Sequence, residues 1–211
     1  MNHPTVFRNR IDAAGQLAER LQAYRGHNPL LLAIPRGAVP MAASMAAALQ
    51  GDFDVVLARK LGAPRQAEFA IGAVDESGWI YLSPDAAGAG ADADYIAAER
   101  QRQMECIRQR RAQYTPLRPR RDPAGRIVIV VDDGLATGAT MVAALHGLRK
   151  QHPARLVCAV PVSSPEALAL VRPLADELQC LQAPANFQAV GQFYRDFDQV
   201  EDDEVIALLK R

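Results

Sequence analysis

Long apolar runs are missing from this chain of 211 residues. The longest are strand-sized, far short of the ~20 residues that cross a bilayer, so the expectation is a soluble protein with no membrane role. An excess of charge of either sign is missing too. The 24 Lys and Arg balance the 24 Asp and Glu, which gives no support to a general nucleic-acid or membrane-surface function. Cysteine is scarce: Cys106, Cys158 and Cys180 are odd in number and form no CxxC pair. They are read as reduced thiols behaving as small hydrophobes, in a cytoplasmic protein. The four histidines, His3, His27, His146 and His152, lack metal-ligand spacing, so no zinc site is expected. The opening Met-Asn-His-Pro-Thr carries no apolar leader, so no signal peptide is expected.

What is present is 49% apolar residues, enough for a substantial core in one domain with a small appended piece. Short apolar runs alternate with longer amphipathic ones. Helices are predicted over 9–24, 39–49, 94–113, 138–150, 165–172 and 201–210, from the spacing of their apolar residues and their flanking breakers. Apolar runs predict buried strands over 30–34, 53–58, 127–131 and 156–160, with a last short strand over 177–181. Shorter strands over 68–74 and 79–82 flank the turn-like Asp75-Glu76-Ser77-Gly78. The fold class this predicts is α/β: a mostly parallel central sheet flanked by helices. Its core is expected over 1–182 with an insertion at about 76–122, and a small tail over 183–211 follows. In such sheets ligands bind beyond the carboxyl ends of the strands, so the chemistry is sought there.

The strand 127–131 is followed at once by Asp132 and Asp133, and then by Gly134-Leu135-Ala136-Thr137-Gly138-Ala139-Thr140 opening into a helix. Small residues let a backbone approach a ligand closely, and successive N–H groups at a helix start suit a phosphate. The Thr137 and Thr140 hydroxyls can donate to phosphate oxygens. The two carboxylates repel an anion and suit hydroxyls or a cation instead. A ligand with a phosphate at one end and a diol nearby satisfies both halves. A plain strand-to-helix turn would explain an Asp and a Gly, but not two acids followed by Thr-Gly-Ala-Thr. There is no Lys before Thr, so this is not a P-loop, and it is not GxGxxG.

This stretch resembles the signature of the type I phosphoribosyltransferases. The resemblance implies that the ligand is 5-phosphoribosyl-1-diphosphate. Asp132 and Asp133 would take the ribose hydroxyls, near a Mg²⁺ held mainly by substrate oxygens, and Ala136 to Thr140 would take the 5-phosphate. In the 6-oxopurine members an Asp precedes Thr-Gly, where this chain has Ala136. Ala cannot move a proton, which weakens a hypoxanthine or guanine reading. Phe7-Arg8-Asn9-Arg10, Ile34-Pro35-Arg36-Gly37, Arg59-Lys60-Leu61-Gly62-Ala63-Pro64 and Phe193-Tyr194-Arg195-Asp196-Phe197 extend the likeness to a bacterial subgroup with an unassigned acceptor.

Arg36 and Gly37 match the position of the family's diphosphate loop, where a guanidinium and free N–H groups can meet an anion. Arg59 and Lys60, read as lying beyond the strand 53–58, are expected to neutralise leaving charge. Glu68 is either an acid near substrate or a strand-edge charge. The family covers its reacting carbon with a hood, for which the tail is the candidate here. Phe187, Phe193 and Tyr194 are its expected acceptor-binding rings, with packing as the plainer reading. Arg100, Arg102, Arg108, Arg110, Arg111, Arg118, Arg120 and Arg121 form a basic cluster, read as a solvated face against the sharper alternative of an RNA or subunit contact.

The function expected is phosphoribosyl transfer to a nitrogen nucleophile with release of diphosphate. Asp132, Asp133, Lys60 and Arg36 are its central groups, and no covalent residue takes part. A regulatory module that senses the same ligand or a nucleotide, or an enzyme that hydrolyses it, are the alternatives. The acceptor is unidentified, nucleic acid is not an expected partner, and a homodimer is kept open.

Overall fold

The computed structural model describes residues 6–116 and 119–210. His3 and Arg118, and the outermost ends of the expected core and tail, lie outside them. Five strands make one parallel sheet: β1 (Leu30–Ala33), β2 (Asp52–Val55), β6 (Ile127–Val131), β7 (Arg155–Val162) and β8 (Glu177–Gln182), in the order β2-β1-β6-β7-β8. The alternation along each strand splits the core into two layers. Leu31, Ala33, Ile129, Val131, Val157 and Ala159 face one layer, with α1 (Arg10–Arg20) and α2 (Ala38–Leu49). Leu30, Leu32, Val128, Val130, Leu156 and Cys158 face the other, with α4 (Ala139–Arg149) and α5 (Pro165–Val171). Burial of both faces is why β1 and β6 read as unbroken apolar runs.

The run 53–58, predicted as one strand, is two. β2 ends at Val55, and β3 (Ala58–Ala63) begins a separate antiparallel sheet with β4 (Gln66–Asp75) and β5 (Ile80–Leu82). Apolar residues continue across Val56 and Leu57 because those, too, are buried, so periodicity carries no break there. The departure from the parallel sheet therefore starts at Ala58, earlier than the insertion read from sequence, and also includes α3 (Ala93–Tyr114). The small sheet docks on α4, where Trp79 stacks on His146 at 3.5 Å.

The tail folds back on the core. Phe7 N–H donates to the Phe193 carbonyl, and Arg195 and Asp196 N–H groups donate to the Phe7 and Arg8 carbonyls. The chain closes with α6 (Asp202–Leu209), three acids in its first turn favouring the helix dipole. The basic cluster on α3 and in the segment after it is largely paired among the described residues. Arg102 meets Glu99, Arg108 meets Glu105, and Arg111 and Arg120 meet Glu76. Cys158 is buried, Cys106 is exposed and no disulfide is formed among the described residues. No described helix is long and apolar enough to cross a membrane.

Candidate functional site

The strand order reverses direction between β1 and β6: from β1 the chain proceeds to β2 on one side, and later strands fill the other. Ala33 lies opposite Val131, so Ile34-Pro35-Arg36 and Asp132-Asp133 leave the sheet side by side. Connections that depart in opposite directions open a crevice at such a switch point. A cavity of about 630 Å³ lies there, lined on one side by Asp132 to Gly138 and Thr140, and on the other by Ala58, Arg59, Lys60 and Glu68.

The loop after β6 is built by its neighbours. Leu135 N–H donates to the Val162 carbonyl, and Ser164 N–H donates back to the Leu135 carbonyl, both at 2.9 Å. Ser164 Oγ donates to the Ala136 carbonyl at 2.8 Å. Leu135 is thereby pinned in the core, and Ala136 to Gly138 arch over the cavity. Gly138, with φ +75°, sits in the left-handed region at the start of α4, a conformation that costs other L-residues roughly 1–2 kcal/mol. The Thr137 and Thr140 side chains flank this turn, and both residues line the cavity with the open start of α4. That is an anion-receiving geometry.

The two acids sit side by side, each half-buried. Burial pushes the Asp132 carboxyl well above its ordinary range, and the neighbouring Asp133 charge adds to this. Asp133 is also pushed up by burial, opposed by the Arg10 guanidinium. Arg10 Nε donates to Asp133 Oδ2 at 2.9 Å, and the Tyr194 hydroxyl donates to the Asp133 carbonyl at 2.6 Å. Asp132 Oδ1 accepts the Asp133 N–H at 2.9 Å. No group of three or more His, Cys, Asp or Glu suited to a metal exists among the described residues. Two adjacent carboxylates fit a hard cation that takes its other oxygens from a phosphorylated substrate and water, the usual manner of Mg²⁺.

The other expected residues divide. Arg59 and Lys60 do not follow a strand; they lie within β3, opposite Val74 and Ala73. Both line the cavity, with Arg59 Nε donating to Gln103 Oε1 at 3.0 Å. Ile34 and Pro35 line it as well, but the Arg36 guanidinium is turned to Glu201 and Asp202 at 3.4 and 3.3 Å. Gly37 packs against the Asp133 carboxylate. Of the tail rings, Phe193 is fully buried and stacks on Phe187 at 5.5 Å. Tyr194 is 6% exposed, and burial pushes its phenol above the ordinary range. None of these three lines the cavity; Phe197 and Val190 do. Arg10, Glu99 and Gln103 also reach it. Their position was not legible locally: Arg10 opens one helix, and Glu99 and Gln103 share a face of another.

A family model described as phosphoribosyl transferase domain matches residues 2–198. A Mycobacterium tuberculosis protein provisionally named a phosphoribosyl transferase, Rv0571c, is 42% identical over 207 residues, or 98% of this chain. The same figures hold for its counterpart in strain CDC 1551. The chain spans about half, 47%, of the length of these curated relatives. The crystal structure of TT1426 from Thermus thermophilus is 44% identical, with TM-score 0.82 over 98% of both chains. By sequence and by fold, then, this chain belongs to the phosphoribosyl transferase domain family.

Proposed function

We propose that the protein binds 5-phosphoribosyl-1-diphosphate with Mg²⁺ and transfers the phosphoribosyl group to a nitrogen nucleophile, releasing diphosphate. The observation that carries this reading is one cavity uniting a half-buried acid pair, a helix start suited to phosphate and two cations, Arg59 and Lys60. Open N–H groups and the Thr137 and Thr140 hydroxyls receive the 5-phosphate. Asp132 and Asp133 receive the ribose hydroxyls, as carboxylates that also suit the cation. When bound, Mg²⁺ supplies charge neutralisation to the diphosphate.

The C1–O bond breaks with its electron pair leaving on diphosphate, where Lys60 and Arg59 meet the developing charge. Positive character spreads over C1 and the ring oxygen, near the carboxylates. The nitrogen lone pair then forms the new bond to C1, and its proton passes to solvent. Catalysis on this scheme is positioning and electrostatics, with no covalent intermediate on the protein. Ala136 stands where 6-oxopurine enzymes of the family carry an Asp, so no proton is moved from that position. A cytoplasmic setting accords with free thiols in the described chain.

Calorimetry with Mg²⁺ tests the binding step: 5-phosphoribosyl-1-diphosphate is expected to bind, and Asp132→Asn/Asp133→Asn to abolish it. A screen of nucleobases and small amines for diphosphate release tests the transfer. Tight binding with no release for any nucleophile would leave a sensor, and release without a nucleophile would leave a hydrolase. Either would overturn the transferase.

A further inference from the structure

The acid pair is asymmetric. Asp133 is held from three sides: Arg10 Nε at its Oδ2, the Tyr194 hydroxyl at its carbonyl, and Gly37 against its carboxylate. Among the described residues the Asp132 carboxylate accepts one hydrogen bond, at Oδ1 from the next amide, and Asp132 lines the cavity. Arg10 is itself fixed by the tail. Its Nη1 donates to the Asp198 carbonyl at 2.6 Å, and its guanidinium carbon lies 3.9 Å from the centre of the Phe197 ring. That ring stacks in turn on Tyr194 at 4.8 Å. The start of α1 cannot drift, because Asn9 caps it and residues 7 and 8 are clipped to the tail by backbone hydrogen bonds.

We propose that Arg10 is a positioning residue: it aims the Asp133 carboxylate at a ribose hydroxyl and makes the tail a brace for that acid. This rests on the sugar-phosphate reading of the cavity. The Arg10 and Asp133 side chains are 13% and 18% exposed, so solvent and salt screen their contact only weakly. A charge-assisted bond in that setting fixes a rotamer before ligand arrives, and orientation already fixed need not be drawn from binding energy. The Arg fork serves two acceptors at once, Asp133 through Nε and Asp198 through Nη1. A lysine ammonium has its donors on one nitrogen, without the planar fork, and cannot hold both in that geometry. The aromatic tail thus has a use distinct from gripping an acceptor: Phe197 and Tyr194 hold the residue that holds the acid.

The test compares ligands that do and do not carry ribose hydroxyls. Affinities for 5-phosphoribosyl-1-diphosphate, ribose 5-phosphate and inorganic phosphate are measured by calorimetry at saturating MgCl₂. The proteins are the wild type, Arg10→Gln, Arg10→Lys, Asp133→Asn and Arg10→Gln/Asp133→Asn. Arg10→Gln is expected to weaken both sugar ligands by about tenfold or more, leaving inorganic phosphate within about twofold, and Arg10→Lys to fall between. The double variant is expected to bind the sugars no more weakly than Asp133→Asn, because the two residues act as one unit. Equal weakening of all three ligands, additive losses in the double variant, or unchanged sugar binding in Arg10→Gln would each overturn the proposal. A wild type that ignores 5-phosphoribosyl-1-diphosphate overturns the functional reading as well, whereas the other outcomes leave that reading standing.

Discussion

Arg36, in the loop after β1, reaches Asp202 in the first turn of α6, its Nη1 lying 3.3 Å from the carboxylate. Glu201 shares the same nitrogen at 3.4 Å. The site residue expected to meet diphosphate is therefore engaged with the last helix of the chain. The Asp202 and Glu201 side chains are 43% and 65% exposed, and pairs of that kind are worth about 1 kcal/mol or less. An incoming diphosphate, with more charge and better hydrogen-bond geometry, can displace them.

Arg36→Ala is accordingly expected to weaken inorganic diphosphate by about tenfold or more. Glu201→Gln, which removes only a competitor, is expected to tighten it by about two- to fivefold, matching the worth of a half-exposed pair. Titration calorimetry reads both. Diphosphate affinity indifferent to Arg36→Ala would assign this arginine to the anchoring of α6 alone.

Gly37 gives a second prediction. A Cβ at this position would overlap the Asp133 carboxylate, with its carbon 2.9 Å away and Arg10 Nε 3.0 Å away. The backbone there is ordinary right-handed helix, so the requirement for Gly is space and not conformation. Gly37→Ala must push Asp133 off its rotamer or shift the loop, at a cost of about 1–3 kcal/mol. For a chain of this size that is a fall in Tm of roughly 2–12 °C, with loss of sugar-phosphate binding measured in the same samples. A variant with wild-type Tm and affinity would show that the loop after β1 has slack.

How much of this was legible before the fold was known depends on range. The pair Asp132-Asp133 and the turn Thr137-Gly138-Ala139-Thr140 lie within nine residues, on a strand-turn-helix whose apolar run 127–131 matches β6 residue for residue. Local pattern was enough. The strand break at Val56-Leu57 was hidden because burial continues through it. Arg10 was illegible as a site residue: it lies 123 positions from Asp133, and only the return of the tail beside residues 7 and 8 brings them together. Phe193 and Tyr194 carried a true aromatic signal, but a ring in a tail reads the same whether it packs inward or faces a ligand. Here Phe193 is wholly buried, and Tyr194 commits its hydroxyl to Asp133.

Asp132 should cost the unliganded protein stability, and the cost should depend on pH. Burial, then the neighbouring Asp133 charge, raises its folded-state carboxyl above the ordinary value of 3.8, while Lys60 and Arg10 pull the other way. A group whose pKa is raised in the folded state binds its proton more tightly there than in the unfolded chain. Its stabilising contribution is full below the unfolded value and is lost as pH rises towards and through the folded one. At neutral pH an ionised Asp132 is thus a liability. Asp132→Asn removes the charge while keeping the shape. It is expected to raise the Tm of the ligand-free protein at pH 7.5, with the gain shrinking as pH falls towards about 4, even as sugar-phosphate binding is abolished. Stability gained where binding is lost is the trade expected of a residue kept for its ligand. Scanning calorimetry of both proteins across that pH range decides the matter. A Tm for Asp132→Asn below wild type by the same margin at every pH would mean that this carboxylate is held by interior packing, and that it does not await a hydroxyl or a cation.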